Sequence, residues 1–141
     1  MSETNSRKYI DSLTNLEKAL NKLSDALKIE PDRELVVEGT IQRFEYVVEI
    51  FWKTLQRGLE YEGIKIEPNT PRQTLKEALR IGWLDENLEW QTLLDRRNKT
   101  SHEYLDEEFI TEAYDEIKDL TPHIIKIYET LNARLKLDES K

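Results

Sequence analysis

The chain has 141 residues, 38% of them apolar and 35% charged, and a net charge of −8. That length supports one core, and the charge excludes a protein that coats nucleic acid by bulk attraction. No apolar run reaches the roughly 20 residues needed to span a bilayer, the N-terminal MSETNSRKYIDSL has no apolar signal core, and with no cysteine there is neither a disulfide framework nor a thiolate metal site; a cytoplasmic protein is the expectation.

Four glycines and four prolines leave element interiors largely uninterrupted, which favours helices. The first helix is expected from about Ser6 to Leu27, with Tyr9, Ile10, Leu13, Leu16, Leu20, Leu23 and Leu27 on one face. IEPD, residues 29–32, reads as a connector, with Asp32 as the N-cap of the next helix. The second helix, about Arg33 to Glu62, carries a broad stripe (Val37, Ile41, Phe44, Val47, Val48, Phe51, Leu55, Leu59) and a thinner one (Val36, Tyr46, Ile50, Tyr61). A helix apolar on two sides touches two neighbours, or a neighbour and a second subunit. GIKIEPNTP is a loop, and Thr70–Pro71 opens a short third helix that stops at Gly82.

The fourth helix is expected to begin near Asp85 to Leu88 and to carry Trp90, Leu93 and Leu94 into DRRNKTSHEYLD, residues 95–106. Asp106 then caps a last helix with Phe109, Ile110, Ala113, Tyr114, Ile117 and Leu120 on its apolar face. Pro122 predicts a kink rather than a break, because Ile124, Ile125, Ile127, Tyr128, Leu131 and Leu135 continue the period. The reading is one all-α domain over residues 1–141, an antiparallel up-and-down bundle of four main helices plus one short one, ordered over about 8–135 with a frayed tail at 136–141.

At about 100° per residue, Trp90, Leu93, Leu94, Arg97 and Ser101 fall in one sector, and Asn98 and His102 stack on its edge. A core stripe has turned polar. His102 can give or take a proton near neutrality. Arg97 can hold a phosphate in its fork of donors or stabilise a developing phosphorane, and Asn98 can orient either group. Arg97 and His102 are about 140° apart on a straight helix, so they flank a small cleft or meet their counterparts across a two-fold axis. Arg96 and Lys99 point outward and add positive charge. Such a set would need no metal or other cofactor to cleave RNA. The bland alternative is a structural cluster paired with Glu45 and Glu49 on the second helix.

Arg97 to Tyr104, RNKTSHEY, match the R-N-x-x-x-H-x-Y pattern of HEPN proteins. QRFEYVVEIFWKTLQ (42–56), TPRQTLKEALRIGWL (70–84) and EWQTLLDRRNKTSHEY (89–104) resemble consecutive blocks of the nucleotidyltransferase substrate-binding branch of that superfamily, and the similarity covers about residues 8–135. The resemblance implies a HEPN-like bundle that dimerises and a separately encoded minimal nucleotidyltransferase partner, often in a toxin–antitoxin pair. It also implies catalytic roles for Arg97 and His102 with Asn98 in support, and Tyr104 as the tyrosine that the partner adenylylates. RNA or a nucleotide at a local basic pocket is then the expected ligand, with neither DNA nor membrane as a partner.

Arg43 and Lys53 are further candidates for phosphate or partner contact. Arg43 has the alternative of pairing with a carboxylate, and Lys53 that of a solvated charge. Trp52 reads as core beside Phe51 and Leu55, and His123 as structural or exposed. The run Asp106, Glu107, Glu108 reads as a favourable first helical turn, not a metal site, since successive helical residues diverge. No Gly-rich phosphate loop occurs, so nucleotidyl transfer is not expected of this chain itself.

Overall fold

Tyr9, Leu13, Leu16, Leu20 and Leu23 recur at alternating steps of four and three along α1 (Glu3–Leu27), and all five are buried. Ile41, Phe44, Val48, Phe51 and Leu55 repeat the pattern along α2 (Glu34–Tyr61). Two seams of this period pack side by side at a shallow angle. In the computed structural model, which describes residues 3–95 and 107–140, they face each other antiparallel. Near one end Tyr9 stacks on Tyr61, with ring centroids 5.5 Å apart. Towards the other, Arg43 Nη1 donates to the Lys22 carbonyl at 2.8 Å.

Gly58 occupies the next slot of the α2 seam. A Cβ there would lie 2.9 Å from Tyr9 Cε1 and 3.0 Å from Trp83 Cζ3, so the missing side chain is what lets both rings reach α2.

Helix ends follow local chemistry. The Thr70 hydroxyl accepts from the Gln73 amide at 3.1 Å and Pro71 opens α3 (Pro71–Arg80), as the sequence predicts. Gly82, at φ +86°, closes α3 with paired bonds from its own amide to the Leu79 carbonyl and from the Trp83 amide to the Ala78 carbonyl. Gly63, at φ +81°, ends α2 in the same way.

Three expectations shift. The N-cap of α2 is Arg33 rather than Asp32, and it offers no side-chain bond to the first turn. The stretch 85–90 is a set of turns, and helix α4 is described over 91–95. Asp85 explains the delay: its carboxylate accepts the Asn87 amide at 2.9 Å and its carbonyl accepts the Trp90 indole N–H at 2.8 Å, a local alternative to helical bonding. Finally, α5 (Glu107–Glu139) stays helical past residue 136, where fraying was expected, and the Tyr61 hydroxyl donates to Asp138 at 3.5 Å.

α5 runs through Pro122 without ending. The Tyr128 hydroxyl donates to Glu17, and Arg134 Nε donates to Glu62 at 2.9 Å. These contacts set α5 antiparallel to α1 and parallel to α2. Its buried face includes Ile110, Ala113, Ile117, Ile124, Leu131 and Leu135. The architecture is an all-α bundle.

Candidate functional site

Arg96, Arg97, Asn98, Lys99, His102 and Tyr104, with the Asp106 cap, lie outside the described residues. The ground on both sides of that segment is described.

Trp90, Leu93 and Leu94 enter the core as the periodicity predicts, and Trp90 packs on Phe51 with ring centroids 5.9 Å apart. On the outer side, Arg72 of α3 pairs with Asp95, while Gln91 Nε2 donates to the Arg72 carbonyl at 3.0 Å. α3 thus clasps the helix that leads into the motif. Beside it lies an open hollow of about 460 Å³, walled by Glu89, Asp95, Glu116 and Asp119 with Leu88 and Leu120. The carboxylates make this wall negative, with Asp95 offset by its ion pair to Arg72. No group of three or more His, Cys, Asp or Glu side chains among the described residues is arranged to hold a metal ion.

The second-helix candidates are committed to intramolecular partners. Arg43 donates to the Lys22 carbonyl, a backbone contact across the α1–α2 seam. Lys53 is half exposed, sits 3.9 Å from Glu49 and lies 5.9 Å from the centroid of the Trp52 ring. Trp52 packs against the core as expected, but its Nε1 is buried without a hydrogen-bond partner among the described residues.

His123 is exposed, and it lines a second hollow of about 640 Å³. Trp83, Trp90, Lys126, Thr130 and Arg134 share that wall. The sequence reading passed over Trp83, Lys126 and Arg134. The signal available was the spacing of Lys126, Thr130 and Arg134, four residues apart on a helix whose opposite face is apolar.

Three hydroxyls near α5 resist ionisation. Burial, reinforced by Glu62, pushes Tyr9 well above the ordinary tyrosine range. Burial and then Asp138 raise Tyr61. Burial and the hydrogen bond to Glu17 push Tyr128 up to about 12. The bond to Glu62 holds Arg134 above its usual value.

Residues 11–133 match the family described as nucleotidyltransferase substrate binding protein like. The chain belongs to that family. A curated relative from Haemophilus influenzae, a probable ribonuclease HepT, is 30% identical over 131 residues, covering 88% of this chain and 89% of the relative. A solved Haemophilus influenzae structure, described as revealing the fold of a substrate binding domain of a nucleotidyltransferase, aligns with a TM-score of 0.74 at 28% identity, over 85% of this chain and 98% of that one. The family's helical fold is the one seen here. No helix among the described residues is long and apolar enough to cross a membrane.

Proposed function

We propose that this chain is the helical subunit of a two-protein system, a homodimer that docks a separately encoded minimal nucleotidyltransferase, and that Tyr104 is the residue the partner adenylylates. The observation that carries the reading is the family match over residues 11–133 in a chain that holds the full R-N-x-x-x-H-x-Y pattern at Arg97 to Tyr104. In the transfer, the Tyr104 hydroxyl gives its proton to a base on the partner or to solvent, its oxygen attacks the α-phosphorus of ATP, a P–O bond to tyrosine forms, the bond to the oxygen bridging the α- and β-phosphorus breaks, and pyrophosphate leaves. The product adds bulk and negative charge beside Arg97 and His102, the groups suited to holding a phosphate. The carboxylate wall at Glu89, Asp95, Glu116 and Asp119 favours a basic partner surface over an extended polyanion.

Co-expression with a nucleotidyltransferase encoded beside it tests the pairing. The two proteins are expected to co-purify and to associate at micromolar concentration or below; no association at that concentration overturns the reading.

A second reading, metal-independent RNA cleavage, is favoured by the relative named as a probable ribonuclease. Here the ribose 2′-oxygen attacks the adjacent phosphorus, a cyclic phosphate forms, and the 5′-oxygen leaves as an alcohol. His102 moves the proton, Arg97 carries the phosphorane charge, and Asn98 orients them. Cleavage of RNA in chelator, lost in Arg97→Ala and in His102→Ala, is the expected result; variants that cut as well as the parent remove these roles.

A further inference from the structure

We propose that the solvent face of α2 pairs antiparallel with the same face of a second copy of this chain, Tyr46 of each copy filling the hollow over Gly39 of the other. The pairing rests on the homodimer reading above and gives it a surface.

At about 100° per residue, Leu35, Gly39, Gln42 and Tyr46 lie in one sector of α2, on the side opposite the buried Phe44, Phe51 and Leu55. Their steps of four, three and four are those of a helix–helix seam. Leu35 is 78% exposed and Tyr46 62%, and the four side chains carry no charge in a chain that is 35% charged. Open apolar surface of this kind marks a contact.

Gly39 has no role within one copy. It sits in a helix interior, where glycine costs stability. The glycines at positive φ are Gly63 and Gly82, and a Cβ at Gly39 would meet nothing within 4 Å. Gly58, by contrast, makes room for Tyr9 and Trp83. What the missing side chain at Gly39 leaves is a hollow of about 410 Å³ walled by Ala19, Lys22, Gln42, Arg43 and Tyr46.

Knob and hole thus share one face, about 10 Å apart along the helix. A face that carries both is self-complementary under a two-fold axis. With that axis beside Gln42, Tyr46 of each copy enters the hollow of the other, where Lys22 offers a donor to the phenol oxygen. The same register sets exposed Leu35 against half-buried Ile50 of the second copy. It also brings Lys53, which Glu49 approaches only to 3.9 Å, to the exposed Asp32 and Glu34 at the acidic start of the other α2. From Leu35 to Lys53 the face is about 27 Å long and, with α1 beside it, about 20 Å wide. Two copies then bury on the order of 1,000 Å², enough for a specific but weak dimer.

Sedimentation velocity of the full chain alone, at tens of micromolar, tests the pairing. A dimer is expected. Tyr46→Glu and Gly39→Leu should each raise its dissociation constant at least about tenfold. Helicity should not fall in either, because Tyr46 is exposed and a Cβ at Gly39 meets nothing. Tyr46→Phe should keep the dimer, as should Leu137→Glu, an exposed position on α5. The chain has no cysteine, so Gln42→Cys beside the axis should give a disulfide-linked dimer on oxidation, whereas Leu137→Cys should not. A monomeric parent would overturn this pairing together with the homodimer reading. A dimer that survives both Tyr46→Glu and Gly39→Leu, or one that Gln42→Cys does not cross-link, would overturn this face alone and leave the homodimer standing.

Discussion

The two hollows beside the 85–90 turn differ in character. One gathers Glu89, Asp95, Glu116 and Asp119; the other sets Lys126, His123, Asp85 and the Glu62-paired Arg134 against indole rings. Both draw on α5, and that helix changes sign at Pro122. Residues 107–120 hold six carboxylates and one lysine, whereas residues 122–136 hold Lys126, Arg134 and Lys136 against Glu129 alone. A net charge of −8 thus describes neither region. Bulk charge excludes a polyanion-coating protein, yet the local field differs between the two hollows, because fields at these distances are set by nearby groups and screened beyond about 10 Å.

The comparison breaks most completely if the shared floor is removed. Phe51 is fully buried beneath Trp90, and Trp90 lines the hollow along the second half of α5 while its neighbours Leu88 and Glu89 line the acidic one. Phe51→Ala should cost about 3–5 kcal/mol in urea unfolding, the range for deleting a buried ring. A loss below about 1 kcal/mol would mean the turn is not supported from α2.

Gly58→Ala should act on one side only. The new methyl meets Tyr9 and Trp83 at 2.9–3.0 Å, an overpacking that outweighs the gain in helix propensity and leaves a net loss of about 1–2 kcal/mol. It should leave the α3–α4 clasp intact. An unchanged melting temperature would show that Trp83 is not held there.

The α3–α4 clasp is weaker. Arg72 and Asp95 are both half exposed, so Arg72→Ala should lower stability by no more than about 1 kcal/mol, and less in high salt.

The smallest effect needs only a pH series. Tyr9, Tyr61 and Tyr128 all ionise above the ordinary tyrosine value of 10.0 when folded. The unfolded chain therefore releases these protons first. Their contribution to stability is full below pH 10 and declines as pH rises towards about 12, the folded value for Tyr128. Tyr128→Phe should flatten that decline in a denaturation series; an identical slope would remove Tyr128 from it.

Much of the bundle could be read from spacing. The seams at Tyr9 to Leu23 and Ile41 to Leu55 fix two long helices and their contact face, and Thr70, Pro71 and Gly82 act locally enough to bound the third. Asp32 misled because capping residues compete within one short connector, and the chain turns one residue later. The start of the fourth helix misled because Asp85 bonds both the Asn87 amide and the distant Trp90 ring, and a ring's reach is not written in periodicity. The motif could be recognised from residues 97–104 alone. The hollow lined by Trp83 and Lys126 could not, since it forms only where α5 meets the turn after α3, and no short stretch of sequence contains both walls.

The proposal on which the most depends is that Tyr104 is a substrate of a partner nucleotidyltransferase. The intact mass of this chain after co-expression with that partner tests it most directly. A gain of one or more adenylyl groups on the parent, absent from Tyr104→Phe, is the predicted result; an unchanged mass in a stable complex, or the same gain in Tyr104→Phe, would contradict it.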